Sequence, residues 1–287
     1  MSLPSSALAS PVATLPYVEA DLTYLIPMEE KPFNYTYEPP AGIPRFNGKF
    51  ATHRIRIHNA RHRIGDLSLD QQGFRLVEHY SKVNNFYDEA EVRGVYYPEA
   101  ERLLQAVTGG TQVIVFDHNV RNIERAQRGE SNAKEPVRRI HNDFTDKSGY
   151  SRARSELSAR NIKDPESLLK QRFAVINVWR PITDPVQDAP LAICDASSIA
   201  PNDWVASDLI YPNRVGETFA VTYNPAHRWF YFPLQQRHEV TLIKCFDAEA
   251  RVQARFTAHT AFDDPTTPPH APSRQSIELR AFVFLPN

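Results

Sequence analysis

Val137-Arg138-Arg139-Ile140-His141-Asn142-Asp143-Phe144-Thr145 is the stretch on which the reading of this chain turns. His141 and Asp143 are one residue apart. In an extended strand residues i and i+2 project from the same face, so an imidazole and a carboxylate are aimed at one spot. Two such ligands plus a second histidine from elsewhere make a facial set of two His and one carboxylate. Such a set holds Fe(II) on one side and leaves the other open for a cosubstrate and dioxygen. Alone, His-x-Asp is more often a surface or turn pair, so the rest of the chain must supply the third ligand and the strands to hold it.

Downstream of Asp143 the chain leaves the strand. Residues 151–172 are rich in Ser, Arg, Glu and Leu, and Asp164-Pro165-Glu166 starts a helix carrying Leu168 and Leu169, which predicts a helical insert at about 150–172. From residue 173 the pattern becomes strand and turn, with strands expected at 173–179, 191–194, 218–223, 229–232, 240–246, 252–259 and 277–285. Upstream, residues 50–58 alternate as an antiparallel strand, with Ile55 and Ile57 on one face and His53 and His58 towards solvent. Pro98-Glu99-Ala100-Glu101 opens a helix that carries Leu103, Leu104 and Val107 and stops at Gly109-Gly110. Residues 112–117 are a buried strand, and 119–135 a polar link into the opening motif. Many short strands with a few outlying helices predict a mainly β fold, a double-stranded β-helix (jelly-roll, cupin-like) barrel with flanking helices. Residues 41–287 are expected as its single domain. The first forty residues are Pro- and Ser-rich with Tyr17, Tyr24, Phe33, Tyr35 and Tyr37, and read as an arm that lies over another surface.

Composition narrows the class of partner. The 287 residues carry 33 Lys+Arg against 34 Asp+Glu, a net charge of −1, so no basic field is present to attract nucleic acid. A small-molecule substrate is expected, with neither nucleic acid nor membrane as partner; homo-oligomerisation is left open. Twenty-three Pro against ten Gly, with sixteen Phe and twelve Tyr, suit strands and ordered loops better than a helical bundle. Cys194 and Cys245 each sit in an apolar run, which predicts two reduced core thiols, a disulfide being the alternative. Residues 1–11 contain no Lys or Arg and no long apolar core, so a signal peptide is not expected and the cytoplasm is the expected location.

Four histidines follow the motif. His270 lies in a Pro-rich loop, His227 precedes the aromatic run Trp229-Phe230-Tyr231-Phe232, and His238 lies in a charged turn. His259 ends an expected strand and is the best third ligand, its plainer reading being a hydrogen-bonding histidine at a strand end. Near the C-terminus Arg274-x-Ser276 puts a guanidinium and a hydroxyl on one face by the same period-two rule. Together they suit a carboxylate clamp, since Arg offers a two-pronged fork and Ser a further donor. A surface salt bridge from Arg274 to Glu278 is the alternative.

The order His141-x-Asp143, His259, Arg274-x-Ser276 resembles that of the Fe(II)/2-oxoglutarate-dependent dioxygenases. It is most similar to the gibberellin-desaturase-like, cephem-7-methoxylase-like and AsaB-like hydroxylase/desaturases. Tyr96-Tyr97-Pro98-Glu99, Val115-Phe116-Asp117-His118, Asn177-Val178-Trp179-Arg180-Pro181, Pro190-Leu191-Ala192-Ile193-Cys194-Asp195 and His259-Thr260-Ala261-Phe262-Asp263-Asp264-Pro265 also look like that group's segments. The resemblance spans about residues 70–287. It implies His141, Asp143 and His259 as iron ligands and Arg274 with Ser276 as the 2-oxoglutarate clamp. The separation from His259 to Arg274 is longer than in many plant-type relatives, which leaves Arg280, of the same parity, as the competing clamp. The implied cofactors are Fe(II), 2-oxoglutarate as cosubstrate, and O2. The implied reaction is ferryl hydrogen abstraction from a secondary metabolite, ending in hydroxylation, desaturation or cyclisation. Asn177, Trp179 and Arg180 are expected beside the barrel mouth as substrate-pocket candidates, though Arg180 points to the opposite face from the other two. The competing functional readings are a cupin-type metal-dependent hydrolase or isomerase that needs no cosubstrate, and a non-catalytic β-barrel binding protein.

Overall fold

In this computed structural model, which describes residues 15–130 and 132–286, the first strand lies inside the stretch read as an arm. Val18, Ala20, Leu22 and Tyr24 are buried while Glu19 and Asp21 are exposed along Tyr17–Leu25 (β1), the period-two pattern of a half-buried strand. Next come Phe33–Tyr35 (β2) and Phe50–Asn59 (β3), and β1 pairs antiparallel with β3 over its whole length. Residues 1–14 of the expected arm lie outside the described residues.

The chain continues through Phe74–Glu78 (β4) and Glu89–Glu91 (α1), and through a π-helical turn at Val92–Tyr96 into Tyr97–Thr108 (α2). Gln112–Asn122 (β5), Ile123–Gln127 (α3), His141–Asn142 (β6), Asp146–Ala159 (α4) and Pro165–Leu169 (α5) follow. The rest is strand: Phe173–Pro181 (β7), Leu191–Cys194 (β8), Trp204–Tyr211 (β9), Arg214–Val221 (β10), Trp229–Tyr231 (β11), Glu239–Asp247 (β12), His259–Ala261 (β13) and Gln275–Phe284 (β14). α2 has Pro98 in its first turn and ends on Gly109, whose φ of 71° is the left-handed conformation that a glycine cap adopts without strain. Asp164 caps α5 by accepting from Ser167 N at 3.1 Å, as its sequence predicts.

Among the described residues the strands form two sheets. One has the order β1-β3-β11-β8-β13-β6-β10-β9-β2, the other β4-β12-β7-β14-β5. They curl against each other as the double-stranded β-helix that the strand pattern predicts. Phe173, Trp179, Phe246 and Phe282 from the smaller sheet meet Ile193 and Phe230 from the larger, and Phe232 just past β11, in a core that also takes in Leu157 of α4. The outer face of the five-stranded sheet is covered by α2, where Ala100 and Leu104 pack with Val115, Val178 and Leu279. Tyr24 of β1 packs with Trp229 and Tyr231 on the outer face of the larger sheet.

The strand expected at 252–259 is a correction. Only His259–Ala261 pairs, because the preceding groups bond elsewhere: Ala254 N donates to Asp70 O at 3.1 Å, Arg255 Nε to Asp247 O at 3.1 Å, and Thr257 Oγ1 to Gly73 O at 3.2 Å. Cys194 and Cys245 are buried and free, and burial pushes the Cys194 thiol up to about 12. No helix among the described residues is long and apolar enough to cross a membrane.

Candidate metal centre

Strand register brings two distant histidines face to face. β6 and β13 are antiparallel neighbours in which His259 lies directly opposite His141, and the two rings are 4.5 Å apart between centroids. β6 is only two residues long. Asn142 fixes its exit by donating to Phe144 O at 2.6 Å and Cys245 O at 2.8 Å, so Asp143 turns back towards the imidazoles. Asp143 Oδ1 is 3.6 Å from His141 Nε2, and one ligand atom from each of His141, Asp143 and His259 lies within 4.8 Å of the others. The spacing argument for His141 and Asp143 therefore holds across the strand end, not within a long strand.

Hydrogen bonds orient both rings. His141 Nδ1 donates to Arg139 O at 2.8 Å and His259 Nδ1 to Thr257 O at 3.2 Å, which leaves each Nε2 as a lone-pair donor, that of His141 facing Asp143 Oδ1. Burial, with the neighbouring His259 second, pushes His141 down to about 4, so its ring is neutral and able to ligate at neutral pH. Burial pushes the Asp143 carboxyl up, but Arg280 and then the two imidazoles outweigh it and hold it well below the usual carboxylate range. Two neutral imidazole nitrogens and one carboxylate on a single side fit an Fe(II) ion with its remaining positions open.

The five-stranded sheet supplies the other wall. On β14, Arg280 is the register partner of Asn177 on β7 and of Asp117 on β5. Asn177 Nδ2 at 2.8 Å and Arg280 Nε at 3.0 Å both donate to Asp143 Oδ2. Arg280 Nη1 also donates to both carboxylate oxygens of Asp117 at 3.1 Å. The β5–β14 ladder is bulged just past Arg280, the kind of irregularity that re-aims a side chain beside a site.

Arg274 is placed quite differently. It is buried, makes no ion pair among the described residues, and uses Nη1 on Ala189 O at 2.5 Å while its guanidinium lies 5.6 Å from the Trp179 ring centre. Its Nε, together with Ser276 Oγ, Asn177 Oδ1 and Tyr231 Oη, is a buried polar atom with no hydrogen-bond partner. Such orphans are rare in folded proteins, and two of them lie on the segment expected to bind a carboxylate.

The other histidines are engaged elsewhere. His227 is bonded to Tyr24 Oη at 3.2 Å and Asp203 at 3.0 Å, His238 stacks on Tyr80, and His270 sits in a turn at φ 63°. Arg180 faces away from the centre, donating to Tyr96 Oη at 3.0 Å, Arg237 O at 2.9 Å and His79 O at 2.9 Å. Asn177 and Trp179 are buried on the inner face. A cleft of about 280 Å³ opens between α4 and the β9–β10 hairpin, with Asp143, Asp117 and Arg280 among its lining residues. Asn177, Trp179 and Arg180 do not line it. Sequence reasoning missed α4 as its wall, where Ser148, Ser151 and Ser155 recur at helical spacing.

A family model described as an oxidoreductase/YMDC permease-like domain matches residues 22–284. An Fe(II)/2-oxoglutarate-dependent dioxygenase, nvfI, of Aspergillus novofumigatus is 32% identical over 262 residues, covering 87% of this chain and 90% of that protein. The hydroxylase/desaturase CTB9 of Cercospora beticola is 31% identical, covering 90% of this chain and 88% of that one. A solved structure of the iron and alpha-ketoglutarate-dependent endoperoxidase NvfI superposes with a TM-score of 0.84 at 28% identity, over 94% of this chain and 99% of that one.

Proposed function

The chain belongs to the Fe(II)/2-oxoglutarate-dependent dioxygenases, and on that premise we propose that His141, Asp143 and His259 hold the iron while Arg274 and Ser276 hold the far carboxylate of 2-oxoglutarate. One observation carries this assignment. Arg274 Nε and Ser276 Oγ are buried donors without partners, on the segment that runs on through β14 to Arg280 and so to Asp143, and a carboxylate would satisfy both. A hydrolytic metal centre has no use for that second anion site.

Bound Fe(II) with 2-oxoglutarate and O2 supplies the oxidising power to remove a hydrogen atom from an unactivated C–H bond. The protein's own part is placement. The hydrogen bonds on the two Nδ1 atoms fix the imidazoles, Arg280 and Asn177 fix the carboxylate, and Arg274 sets which way the cosubstrate lies. The cleft beside Asp143 receives a small-molecule substrate. Relatives named hydroxylase/desaturase and endoperoxidase support a secondary metabolite as that substrate, with hydroxylation, desaturation and ring formation as the outcomes open to the chain. We place the enzyme in the cytoplasm, where two buried unpaired thiols stay reduced.

Substitution of the ligands tests the reading. His141→Ala and Asp143→Ala are expected to abolish succinate formation from 2-oxoglutarate and to reduce bound Fe(II) below one per chain, with the circular dichroism spectrum unchanged. Wild-type turnover in either variant would remove the iron assignment.

A further inference from the structure

Arg280 was a candidate for the cosubstrate clamp, and its contacts point to another task. Its Nε donates to Asp143 Oδ2 at 3.0 Å while its Nη1 donates to both oxygens of Asp117 at 3.1 Å, so one planar fork spans two carboxylates on different strands. Nη2 lies 3.7 Å from a third carboxylate, Glu278. Asp117 is itself approached by Arg152 of α4 at 3.4 Å, and Arg152 pairs with Glu156 at 3.0 Å. An unbroken row of ion pairs therefore runs from Asp143 to the helix that borders the cleft. Arg274, by contrast, has a buried Nε without a hydrogen-bond partner and makes no ion pair among the described residues.

A carboxylate can ligate through one oxygen or through two. Asp143 Oδ2 already accepts from Arg280 and from Asn177 at 2.8 Å, whereas Oδ1 faces His141 Nε2. We propose that Arg280, braced by Asp117, is the positioning residue of the centre: it occupies Asp143 Oδ2 and so presents Oδ1 as the single oxygen facing the metal. A ligand held this way keeps the neighbouring coordination positions free for the cosubstrate and arrives with its orientation already fixed. Asn177 shares the task but, being neutral and unbraced by a counter-charge, cannot perform it alone.

The inference rests on the reading of His141, Asp143 and His259 as the ligand set, and the experiment separates the two. Mn(II), which does not oxidise in air under assay conditions as Fe(II) does, is titrated into the metal-free protein and counted by electron paramagnetic resonance. The KM for 2-oxoglutarate is measured alongside on the Fe(II)-loaded enzyme. Arg280→Lys is the decisive variant, because it keeps the positive charge, and hence its repulsion of the cation, but cannot reach Asp143 and Asp117 together. Mn(II) affinity is expected to fall about tenfold or more, with the KM for 2-oxoglutarate changed less than twofold. Asp117→Asn, which keeps Arg280 and removes its brace, is expected to move affinity the same way by a smaller factor, and decides the matter if Arg280→Lys does not fold. Unchanged Mn(II) affinity with a raised KM would make Arg280 a cosubstrate clamp. Unchanged affinity with a lower Tm of the metal-free protein would make it a structural ion pair only. Either result overturns the proposal. Failure of the unsubstituted protein to bind Mn(II) would strike the ligand set itself, and the proposal with it.

Discussion

Burial, followed by repulsion from Arg121, pushes the Arg274 guanidinium down to about 9, with Glu278 and Asp188 offsetting only part of it. Burial also lowers Arg280, yet Asp143, Asp117 and Glu278 more than restore it and carry it well above the ordinary arginine value. Arg280 lies within β14 and Arg274 immediately precedes it, and the two differ sharply in their neighbours. Arg274→Met, which keeps most of the side-chain volume, is therefore expected to raise the KM for 2-oxoglutarate more than tenfold, about 1.4 kcal/mol or more. It is expected to leave the Tm of the cosubstrate-free protein little changed, since removing a buried charge that makes no ion pair among the described residues offsets the lost donor to Ala189 O and the lost contact with Trp179. Steady-state kinetics and a melting curve check both halves, and a lower Tm with unchanged KM would count against the clamp. Period-two spacing singles out His141 with Asp143 and Arg274 with Ser276 in the sequence, whereas His259 is singled out by a strand expected to end on it and β13 in fact starts there. What spacing could not give is that Asp143 meets Asn177 and Arg280, or that Arg280 meets Asp117. Those pairs depend on the register of β7, β14 and β5, strands far apart in the chain.

Helix α4 begins three residues after Asp143, at Asp146, earlier than the insert expected at about 150–172. Its start was hard to read because the third capping-box residue is Ser148 in place of the usual Glu or Gln: Thr145 N donates to Ser148 Oγ at 2.8 Å and Ser148 N to Thr145 Oγ1 at 3.2 Å. The short gap matters for the site, because the helix must turn back over the barrel almost at once. Gly149 permits that approach. A Cβ built there would lie 2.8 Å from the Phe246 ring, well inside contact distance, and Phe246 is itself held in the core by Phe173 and Tyr150. Gly149→Ala gains helix propensity but overpacks this junction, and the net expectation is a loss of about 1–3 kcal/mol, read from denaturant melts of the metal-free protein. Stability equal to or above wild type would mean that α4 can lift off β12 without cost. β1 shows the opposite case of legibility. Val18, Ala20, Leu22 and Tyr24 alternate plainly with charged and polar residues, but the Pro- and Ser-rich composition of the first forty residues reads as an arm.

Seen over the whole molecule, β1 is the edge of the larger sheet, and the order β1-β3-β11-β8-β13-β6 leads from it to the two histidines. Its outward residues meet β3 only through exposed pairs such as Arg56 with Glu19 at 3.1 Å, which contribute little. Its hold on the barrel comes from the buried Val18, Ala20 and Leu22 and above all from Tyr24, fully buried, with its ring edge-on to Trp229 and its hydroxyl accepting from Trp229 Nε1 at 2.7 Å. The same hydroxyl bonds His227 Nδ1 at 3.2 Å, and His227 Nε2 bonds Asp203 at 3.0 Å, so one phenol ties β1 to β11 and to the loop ahead of β9. Tyr24→Phe keeps the ring and strips the oxygen, leaving the Trp229 donor buried without a partner at a cost of about 1–3 kcal/mol. Tyr24→Ala removes the ring as well and is expected to cost about 3–5 kcal/mol. Both variants should retain Mn(II) affinity within about twofold at low temperature, where they remain folded, because the contact of β1 with the segment ahead of His141, Ile140 N donating to Thr23 O at 3.1 Å, is made by backbone that neither substitution removes. Melting curves rank the three proteins, and metal titration below the transition tests the separation. Loss of metal affinity in Tyr24→Phe without loss of fold would show that the edge strand sets the geometry of the centre, and would refute the view that β1 acts through stability alone.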